Sequence, residues 1–397
     1  MKEGWTYKKL GDIATEMFRG SGIKRDQITI EGTPCVRYGE IYTTYNISFS
    51  ECFSHTNVEF ISSPKYFSHG DLLFAITGES VEDIGKTIAY LGHERCLLGG
   101  DIVCMKHNQN PKYLSYALSS SEAIRQKGIG KTKLKVVHTN IPALSEIRIP
   151  IPSLFEQQRI VSRLDAAFSH IDELKSNAEK QLSEARALFQ KSLAKAMEPK
   201  EGWKFYHLQD ICTDVVDCPH TTPRKVDKPT IYPCIRTSEL RGGQIDWKTM
   251  QYLDEEEYKK RTTRIIPKEN DIVYGREGTY GDAALLPKGY CFSLGQRTML
   301  LRPNVDLVYP EFLLNMLIST HVYEQAKAKN SGCGVGHVNV KDIKVFKIYI
   351  PPLSEQQRIV ERLDALSAHV RELEENQKKI ISECDALKQA LLRKVFE

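Results

Sequence analysis

Glu156-Gln-Gln-Arg-Ile-Val-Ser-Arg-Leu-Asp-Ala166 returns later in the chain as Glu355-Gln-Gln-Arg-Ile-Val-Glu-Arg-Leu-Asp-Ala365. Ten of the eleven residues are identical at an offset of 199, in a chain of 397 residues. Matches at the same offset continue beyond the stretch, as with His170 and His369 or Leu188 and Leu387. Since half the chain length separates the two copies, the sequence predicts two copies of one structural unit.

Each copy of this stretch opens a long helix. Gly and Pro are absent for about forty positions after it, and apolar residues recur at seven-residue spacing, which is typical of a coiled coil rather than of a helix in a globular core. Ser153 and Glu156 form a capping box, so we expect the helices to begin near residues 154 and 354. The two predicted heptad positions of the second helix are Leu363, Val370, Cys384 and Leu391, and then Leu366, Leu373, Ile380 and Leu387.

The two helices divide the chain into four parts. We predict globular domains at residues 1–152 and 199–352, and long helices at residues 153–198 and 353–397. The domains mix short apolar segments with Gly, Pro and Asn, including a strand over residues 71–76, so they are predicted to be strand-rich. The fold class is therefore mixed α/β, with two similar domains separated by an antiparallel coiled coil and related by a pseudo-twofold internal repeat.

Composition narrows the class of protein. Ten cysteines without a C-x-x-C pair, and the absence of a signal peptide or a long apolar run, predict a reduced, cytoplasmic and soluble protein with no membrane association. Cys212, Cys218 and His220 lack the second pair of ligands that zinc needs, so no metal site is expected. The net charge is +4, and the globular parts hold the positive excess, which is compatible with a phosphate-facing surface without identifying one.

The motifs that would indicate catalysis are incomplete. Gly85-Lys-Thr87 and Gly130-Lys-Thr132 look like the end of a phosphate-binding loop, but Ser80 and Arg125 stand where that loop needs its first glycine. The sequence contains no Ser-His-Asp, zinc-hydrolase, nuclease or methyltransferase pattern. We therefore expect a chain without catalytic activity or a cofactor of its own.

Loops that mix basic, aromatic and amide side chains with glycine are the candidates for contact with DNA, because such residues reach phosphates and base edges where the backbone comes close. A single such residue is equally compatible with an ordinary solvated charge, so only clusters carry weight. The candidates are Lys24, Arg37, Tyr38, Lys86, Lys131, Lys133, Lys135, Arg236, Thr237, Arg276, Tyr280, Gln296 and Arg297.

Over its whole length the chain resembles the specificity subunits of Type I restriction-modification systems. The resemblance lies in Ile151-Pro-Ser-Leu-Phe-Glu-Gln-Gln-Arg-Ile-Val161, its second copy Ile350-Pro-Pro-Leu-Ser-Glu-Gln-Gln-Arg-Ile-Val360, and Asp217-Cys-Pro-His-Thr-Thr-Pro223. The last motif adds His220 and Thr221 to the candidate DNA contacts. The first domain has Phe18-Arg-Gly-Ser-Gly-Ile-Lys24 in its place, so this assignment does not extend to that domain.

The resemblance implies a sequence-specific DNA-binding subunit whose two globular domains are target-recognition domains, each reading one half of a split double-stranded DNA target. The partners implied are two methylation subunits, which hold S-adenosylmethionine, and restriction subunits, which use ATP and Mg. Six residues at the helix starts are candidates for docking the methylation subunits, or alternatively for capping and internal packing: Glu156, Gln157, Arg159, Glu355, Gln356 and Arg358.

Two further expectations concern the target and the class of protein. The loops at residues 18–31 and 214–229 share almost nothing, so the target is expected to be asymmetric. The alternative is a non-catalytic coiled-coil scaffold whose globular ends bind protein rather than DNA. The salt dependence of duplex binding distinguishes the two, because phosphate contacts release counterions.

Overall fold

The computed structural model describes residues 4–81, 83–129, 136–278, 280–330 and 336–397. The chain divides into two compact units, one made of Met1–Glu179 with Lys378–Glu397 and the other of Lys180–Gln377. Each unit therefore combines one strand-rich domain with one half of each long helix. Within the described residues, no helix is both long and apolar enough to cross a membrane.

The domain of the first unit is built on two five-stranded sheets. Its strands are β1 (Thr6–Lys9), β2 (Ala14–Arg19), β3 (Ile28–Thr29), β4 (Thr33–Val36), β5 (Ser48–Phe49), β6 (Ser54–Thr56), β7 (Tyr66–Phe67), β8 (Leu72–Ala75), β9 (Thr77–Gly78), β10 (Thr87–Tyr90), β11 (Cys96–Leu98), β12 (Ile102–His107), β13 (Val137–His138) and β14 (Arg148–Ile151). The two sheets have the strand orders β2-β12-β8-β10-β5 and β3-β6-β4-β11-β7. Its helices are α1 (Leu10–Ile13), α2 (Tyr38–Thr43), α3 (Pro111–Leu118), α4 (Ser121–Lys127) and α5 (Ile141–Ser145). The strand predicted at residues 71–76 is confirmed as β8, whose four residues are all buried.

The domain of the second unit repeats this plan with sheets of fewer strands. Its strands are β15 (Lys204–His207), β16 (Cys212–Asp217), β17 (Pro233–Ile235), β18 (Leu240–Arg241), β19 (Gln244–Ile245), β20 (Gln251–Tyr252), β21 (Ile272–Gly275), β22 (Ala283–Leu285), β23 (Ser293–Leu294), β24 (Thr298–Pro303) and β25 (Lys347–Ile350). The two main sheets have the strand orders β16-β24-β21-β22 and β20-β17-β23. Its helices are α7 (Glu255–Arg261), α8 (Pro310–Leu317), α9 (Thr320–Ala328) and α10 (Val340–Lys344). In both domains a strand before the long helix pairs antiparallel with the first strand, β14 with β1 and β25 with β15.

The long helices α6 (Leu154–Ala196) and α11 (Leu353–Phe396) begin where the repeat predicts. Ser153 Oγ accepts the Glu156 amide at 3.3 Å, as expected of a helix cap. The helices run antiparallel in each unit. In the first unit Lys175 contacts Asp385 at 2.8 Å, and the earlier Asp172 contacts the later Lys388. In the second unit Arg186 contacts Glu374 at 2.8 Å, and the earlier Gln181 contacts the later Gln377 at 3.0 Å. The predicted antiparallel coiled coil is therefore confirmed.

The heptad prediction is only half right. Leu363 and Cys384 of the first predicted position are buried, and Gln377 between them donates to Gln181 Oε1 at 3.0 Å. At the second predicted position Leu373, Ile380 and Leu387 remain 36%, 38% and 48% exposed. On α6, Leu174 and Leu188 are each 56% exposed. In this two-helix arrangement the side chains of the first heptad position are largely covered, whereas those of the second position stay partly exposed to solvent.

Two glutamines of the repeated stretch tie each long helix to its own domain. Gln157 is fully buried, accepts the Asn110 amide at 3.0 Å and donates to Pro152 O at 2.9 Å. Gln356 is fully buried in the same way, accepting the Tyr309 amide at 2.7 Å and donating to carbonyl oxygens. Of the two alternatives for these glutamines, the structure shows internal packing rather than partner docking, because both side-chain amides are hydrogen-bonded inside the unit.

Candidate nucleic-acid interface

An Arg-x-x-Glu motif starts the helical turn after β4 and after β17. The Arg37 amide donates to Glu40 Oε2 at 3.1 Å and its Nε donates to Glu40 Oε1 at 3.0 Å. The Arg236 amide and Nε donate to Glu239 Oε2 at 2.8 Å and 3.2 Å. Both glutamates are buried, whereas both arginine side chains remain about a third exposed. The predicted contact residues Arg37 and Arg236 are thus anchored by carboxylates that sequence reasoning missed.

Further hydroxyl groups hold each buried glutamate in place. Ser54 Oγ donates to Glu40 Oε1 at 2.7 Å, and Thr249 Oγ1 donates to Glu239 Oε1 at 3.1 Å. Each carboxylate therefore accepts hydrogen bonds from both its arginine and a hydroxyl group. The recurrence of Glu at the same offset as the matched arginines was the signal available in the sequence.

A glycine turn brings a second loop against each arginine. The Gly99 amide donates to Val36 O at 2.9 Å, and the Gly295 amide donates to Ile235 O at 2.7 Å. A Cβ at Gly99 would lie 2.4 Å from Val36 O, and one at Gly295 would lie 2.4 Å from Arg236 Cγ. Only glycine fits at this approach, which places the residues that follow each glycine beside the anchored arginine.

In the first unit this arrangement surrounds a groove of about 650 Å³. Its lining includes Arg25, Arg37, Tyr38 and Asp101. Tyr38 is 41% exposed, so an exposed aromatic residue and two arginines line the same groove. Lys24 is exposed beside Arg25 in the chain, with its amide donating to Gln27 Oε1 at 2.8 Å. The groove can accept a phosphate or a base edge.

In the second unit a network of three ion pairs and one histidine contact links residues from four segments. Arg276 Nε lies 3.1 Å from Asp217 Oδ1, and Arg276 Nη1 lies 3.3 Å from Glu277 Oε1. Glu277 also contacts Arg297 Nε at 3.2 Å and His337 Nδ1 at 3.0 Å. Arg297 is more than half exposed, so its guanidinium group can meet a ligand.

The loop that carries the Asp-Cys-Pro-His motif joins the same network. His220 Nε2 lies 3.0 Å from Asp217 Oδ2, and Gln296 Nε2 of the side chain donates to His220 O at 3.2 Å. The Thr221 carbonyl accepts a hydrogen bond from Arg261 Nη1 at 3.0 Å, and Arg261 itself is buried. The structure therefore gathers His220, Thr221 and Gln296, all predicted from the sequence, beside the exposed Arg297.

Other predicted contacts are placed differently. Arg276 is only 5% exposed and lies between two carboxylates, so the expectation that it touches DNA directly is wrong. Lys86 is half-buried and its Nζ donates to Tyr45 O at 3.0 Å, while burial lowers the pKa of its ammonium group. Tyr280 is half-buried with its ring parallel to that of Tyr323, 5.8 Å between centroids, and Thr237 is half-buried next to Arg236. Lys131, Lys133 and Lys135 lie outside the described residues.

A histidine that sequence reasoning missed occupies matching places in the two units. His138 Nδ1 lies 3.1 Å from Thr77 Oγ1 in the first unit, where His337 meets Glu277 in the second. The Thr139 amide donates to Ile76 O and the Val338 amide donates to Arg276 O, both at 2.9 Å. The repeat of His-x-Asn at an offset of 199 was visible in the sequence.

The remaining candidates for partner contact lie at the helix starts. Arg159 Nε contacts Glu156 Oε2 at 2.8 Å, and the Arg159 side chain is 53% exposed. Glu355 is half-buried and Arg358 is exposed. These four charged residues remain accessible at the helix surface, unlike the two buried glutamines between them.

Comparison with known proteins gives concordant matches in sequence and in structure. The family model described as Type I restriction modification DNA specificity domain matches residues 2–184 and again residues 200–383. The EcoKI specificity subunit of Escherichia coli (strain K12) is 22% identical over 433 residues, covering 100% of this chain and 89% of that protein. A putative MjaX specificity subunit of Methanocaldococcus jannaschii is 24% identical over 388 residues, covering 92% of this chain and 87% of that protein.

Two solved structures share the fold. A chain from a study of complex assembly and conformational transition of the type I R-M system superimposes with a TM-score of 0.77 and 19% identity, covering 99% of this chain and 98% of that one. The HsdS subunit from Thermoanaerobacter tengcongensis gives a TM-score of 0.55 and 18% identity, covering 100% of this chain and 97% of that one. The architecture of two domains and two long helices is therefore shared with both.

Proposed function

The chain belongs to the Type I restriction-modification DNA specificity family, and we propose that each of its two domains reads one half of a split, asymmetric DNA target. The observation that carries this proposal is the contrast between framework and loops. Arg37 and Arg236 are each held by a glutamate three residues later, and a glycine at a matching place approaches each of them. The two residues that follow this glycine are Gly-Asp in the first domain and Gln-Arg in the second. Equal frameworks with different exposed groups suit two different half-sites.

The long helices supply the surface for the partner subunits that this proposal requires. We infer that two methylation subunits dock along the coiled coil and that restriction subunits join the complex through them. The half-exposed leucines of α6 and α11 support this, since a row of apolar side chains left open by two helices is what an additional helix covers. Within the second unit, Leu188, Leu366 and Leu373 line an apolar groove of about 350 Å³.

The chemistry is assigned to those partners. We infer that this chain is non-catalytic, that S-adenosylmethionine, ATP and Mg are held by other subunits, and that the complex acts in the cytoplasm. The residues gathered at the two interfaces are arginines anchored by carboxylates, together with amides and hydroxyls, which suits recognition of phosphates and bases. Purified chain is expected to transfer no methyl group to DNA without its partners, and sustained turnover by the chain alone would contradict this.

The alternative of a scaffold with protein-binding ends is not favoured by the family membership. It makes a distinct prediction, because protein contacts release few counterions. Binding of the chain to duplex DNA should weaken steeply between about 50 and 200 mM salt if the domains contact phosphates. A flat salt dependence would favour the scaffold.

Methylome sequencing of cells that express this chain with its methylation subunit is the direct test. The expected result is one split, asymmetric methylated sequence. A sharper version replaces residues 203–350 with a second copy of residues 5–151 and leaves both helices intact. The target should then become an inverted repeat with the original spacer. An unchanged asymmetric target, or a direct repeat of the first half-site, would refute the arrangement.

A further inference from the structure

In each unit, the end of one sheet strand lies beside the turn that precedes the neighbouring strand. β2 ends at Arg19, which pairs with Val103 of β12, and β16 ends at Asp217, which pairs with Met299 of β24. The residue two positions before each partner is Asp101 in the first unit and Arg297 in the second. In each unit we call two positions together the strand-end slot: the last residue of the first strand, Arg19 or Asp217, and the turn residue beside it, Asp101 or Arg297.

The backbone establishes that the two slots are equivalent. Asp101 has φ 60° and Arg297 has φ 69°, an unusual conformation for residues with a side chain. The Asp101 carbonyl accepts the Ile76 amide at 2.9 Å, and the Arg297 carbonyl accepts the Arg276 amide at 3.0 Å. A matching backbone with unrelated side chains indicates that the position presents a side chain rather than stabilising the turn.

The charges of the slot are inverted between the units. In the first unit Arg19 forms an ion pair with Asp101, and the guanidinium side chain is 61% exposed. In the second unit Arg297 takes the place of Asp101, is 55% exposed and is held by Glu277, while Asp217 takes the place of Arg19. Each unit thus presents one exposed arginine held by a carboxylate, but from opposite sides of the slot.

Stability alone does not account for this arrangement. An exposed ion pair contributes little to stability, so neither arginine is required for the fold. A guanidinium held by a carboxylate keeps its remaining N–H groups oriented, and such a planar fork matches the O6 and N7 acceptors of guanine. Lys106 and Glu16 form another exposed ion pair across β2 and β12, at 2.7 Å, three residues along each strand from the pair of Arg19 and Val103.

We propose that Arg19 is the first unit's counterpart of Arg297, each reading a guanine edge in its own half-site, and that Asp101 and Glu277 position the two guanidinium groups. The inference rests on the proposed function and deepens it, because it assigns the base contacts to one slot. Inversion of the slot then explains physically why two domains with one framework read different half-sites. A guanidinium offered from the other side of the slot meets a different base pair.

The test uses the full chain with its methylation subunit and reads the methylome. Arg19→Ala should lose about 5- to 150-fold of the discrimination at one base pair of one half-site, the range for a bidentate arginine, and leave the other half-site unchanged. Asp101→Ala should weaken the same base pair less, and Asp101→Asn should restore part of the loss because its amide oxygen still accepts from Arg19. The intact second half-site reports that the variant protein is folded.

A charge reversal makes the inference sharper. The double variant R19D/D101R rebuilds the ion pair with the arginine on the side used by the second unit. It should therefore change the preferred base pair in the first half-site rather than abolish binding. The matched control is E16K/K106E, which reverses the other ion pair on the same two strands and should leave the methylome unchanged.

Two outcomes would overturn the inference. One is an unaltered first half-site in Arg19→Ala. The other is weaker binding to all DNA sequences alike with a smaller salt slope, which would identify a phosphate contact. Failure of the wild-type chain to direct any split methylation would instead refute the proposed function, so the two failures are distinguishable.

Discussion

Replacing Lys127 with Met should make the first unit more stable at pH 6 and less stable above about pH 9. Lys127 is only 5% exposed, at the end of α4, and its Nζ donates to Thr87 Oγ1 at 3.1 Å and to Leu118 O at 2.8 Å. Burial lowers the pKa of its ammonium group from 10.5 to about 7. The fold does not need a lysine there, because Ala326 occupies the matching place in the second unit and is fully buried.

The magnitude follows from the difference between the two pKa values. In the unfolded chain the lysine keeps its ordinary pKa, so between pH 7 and about 10.5 the unfolded state binds more protons and stability rises with pH. Below pH 7 the cost of charging the buried amine is fully present. At about 1.4 kcal/mol per pKa unit it approaches about 5 kcal/mol. Met removes that cost but also removes two hydrogen bonds, which contribute about 1 kcal/mol each. The free energy of unfolding of the Met variant should therefore exceed that of the wild type by about 3 kcal/mol at pH 6.

The assay is urea denaturation at several pH values between 6 and 10, followed by circular dichroism. Lys8→Met is the matched control, because Lys8 is an exposed lysine of the same unit and its loss should change stability little at any pH. The difference between Lys127→Met and the wild type should shrink as pH rises and change sign near about pH 9, where the remaining cost of burying the lysine equals the contribution of its two hydrogen bonds. A difference that is constant across this range would refute the reasoning.

Three further changes test the internal contacts and the open helix surface. Gln157→Ala removes an amide with several buried partners and should cost the first unit about 2–4 kcal/mol in urea unfolding, whereas the exposed Gln357→Ala should be neutral. Arg276→Ala leaves Asp217 and Glu277 without their shared cation, although His220 and Arg297 still contact them, so it should destabilise the second unit by about 1–3 kcal/mol in the same assay. A loss of DNA discrimination with unchanged stability would contradict this. Leu373→Asp should weaken association with the methylation subunit by about tenfold or more in titration calorimetry while leaving the unfolding curve unchanged, and equal affinity would show that the exposed row is not the docking surface.

The organisation of the chain follows from local pattern and could be read from the sequence. The repeat at an offset of 199 predicts two units, and a run without Gly or Pro after Glu156 predicts a helix whose observed bounds are Leu154–Ala196. Propensity, capping and periodicity act over a few residues, so they leave a visible trace in the amino-acid order. The matched arginines at residues 37 and 236 were found for the same reason.

Burial and charge pairing depend on which distant segments meet. Arg276 and Arg297 look alike in the sequence, yet one is enclosed by Asp217 and Glu277 and the other reaches solvent. A heptad pattern likewise gives the period of an apolar row, but the number of helices that surround the row decides whether it is buried. Asp217 and Arg276 approach within 3.1 Å only because β16, β24 and β21 are adjacent in one sheet. Strand order is set by long-range packing, and no short stretch of sequence encodes it.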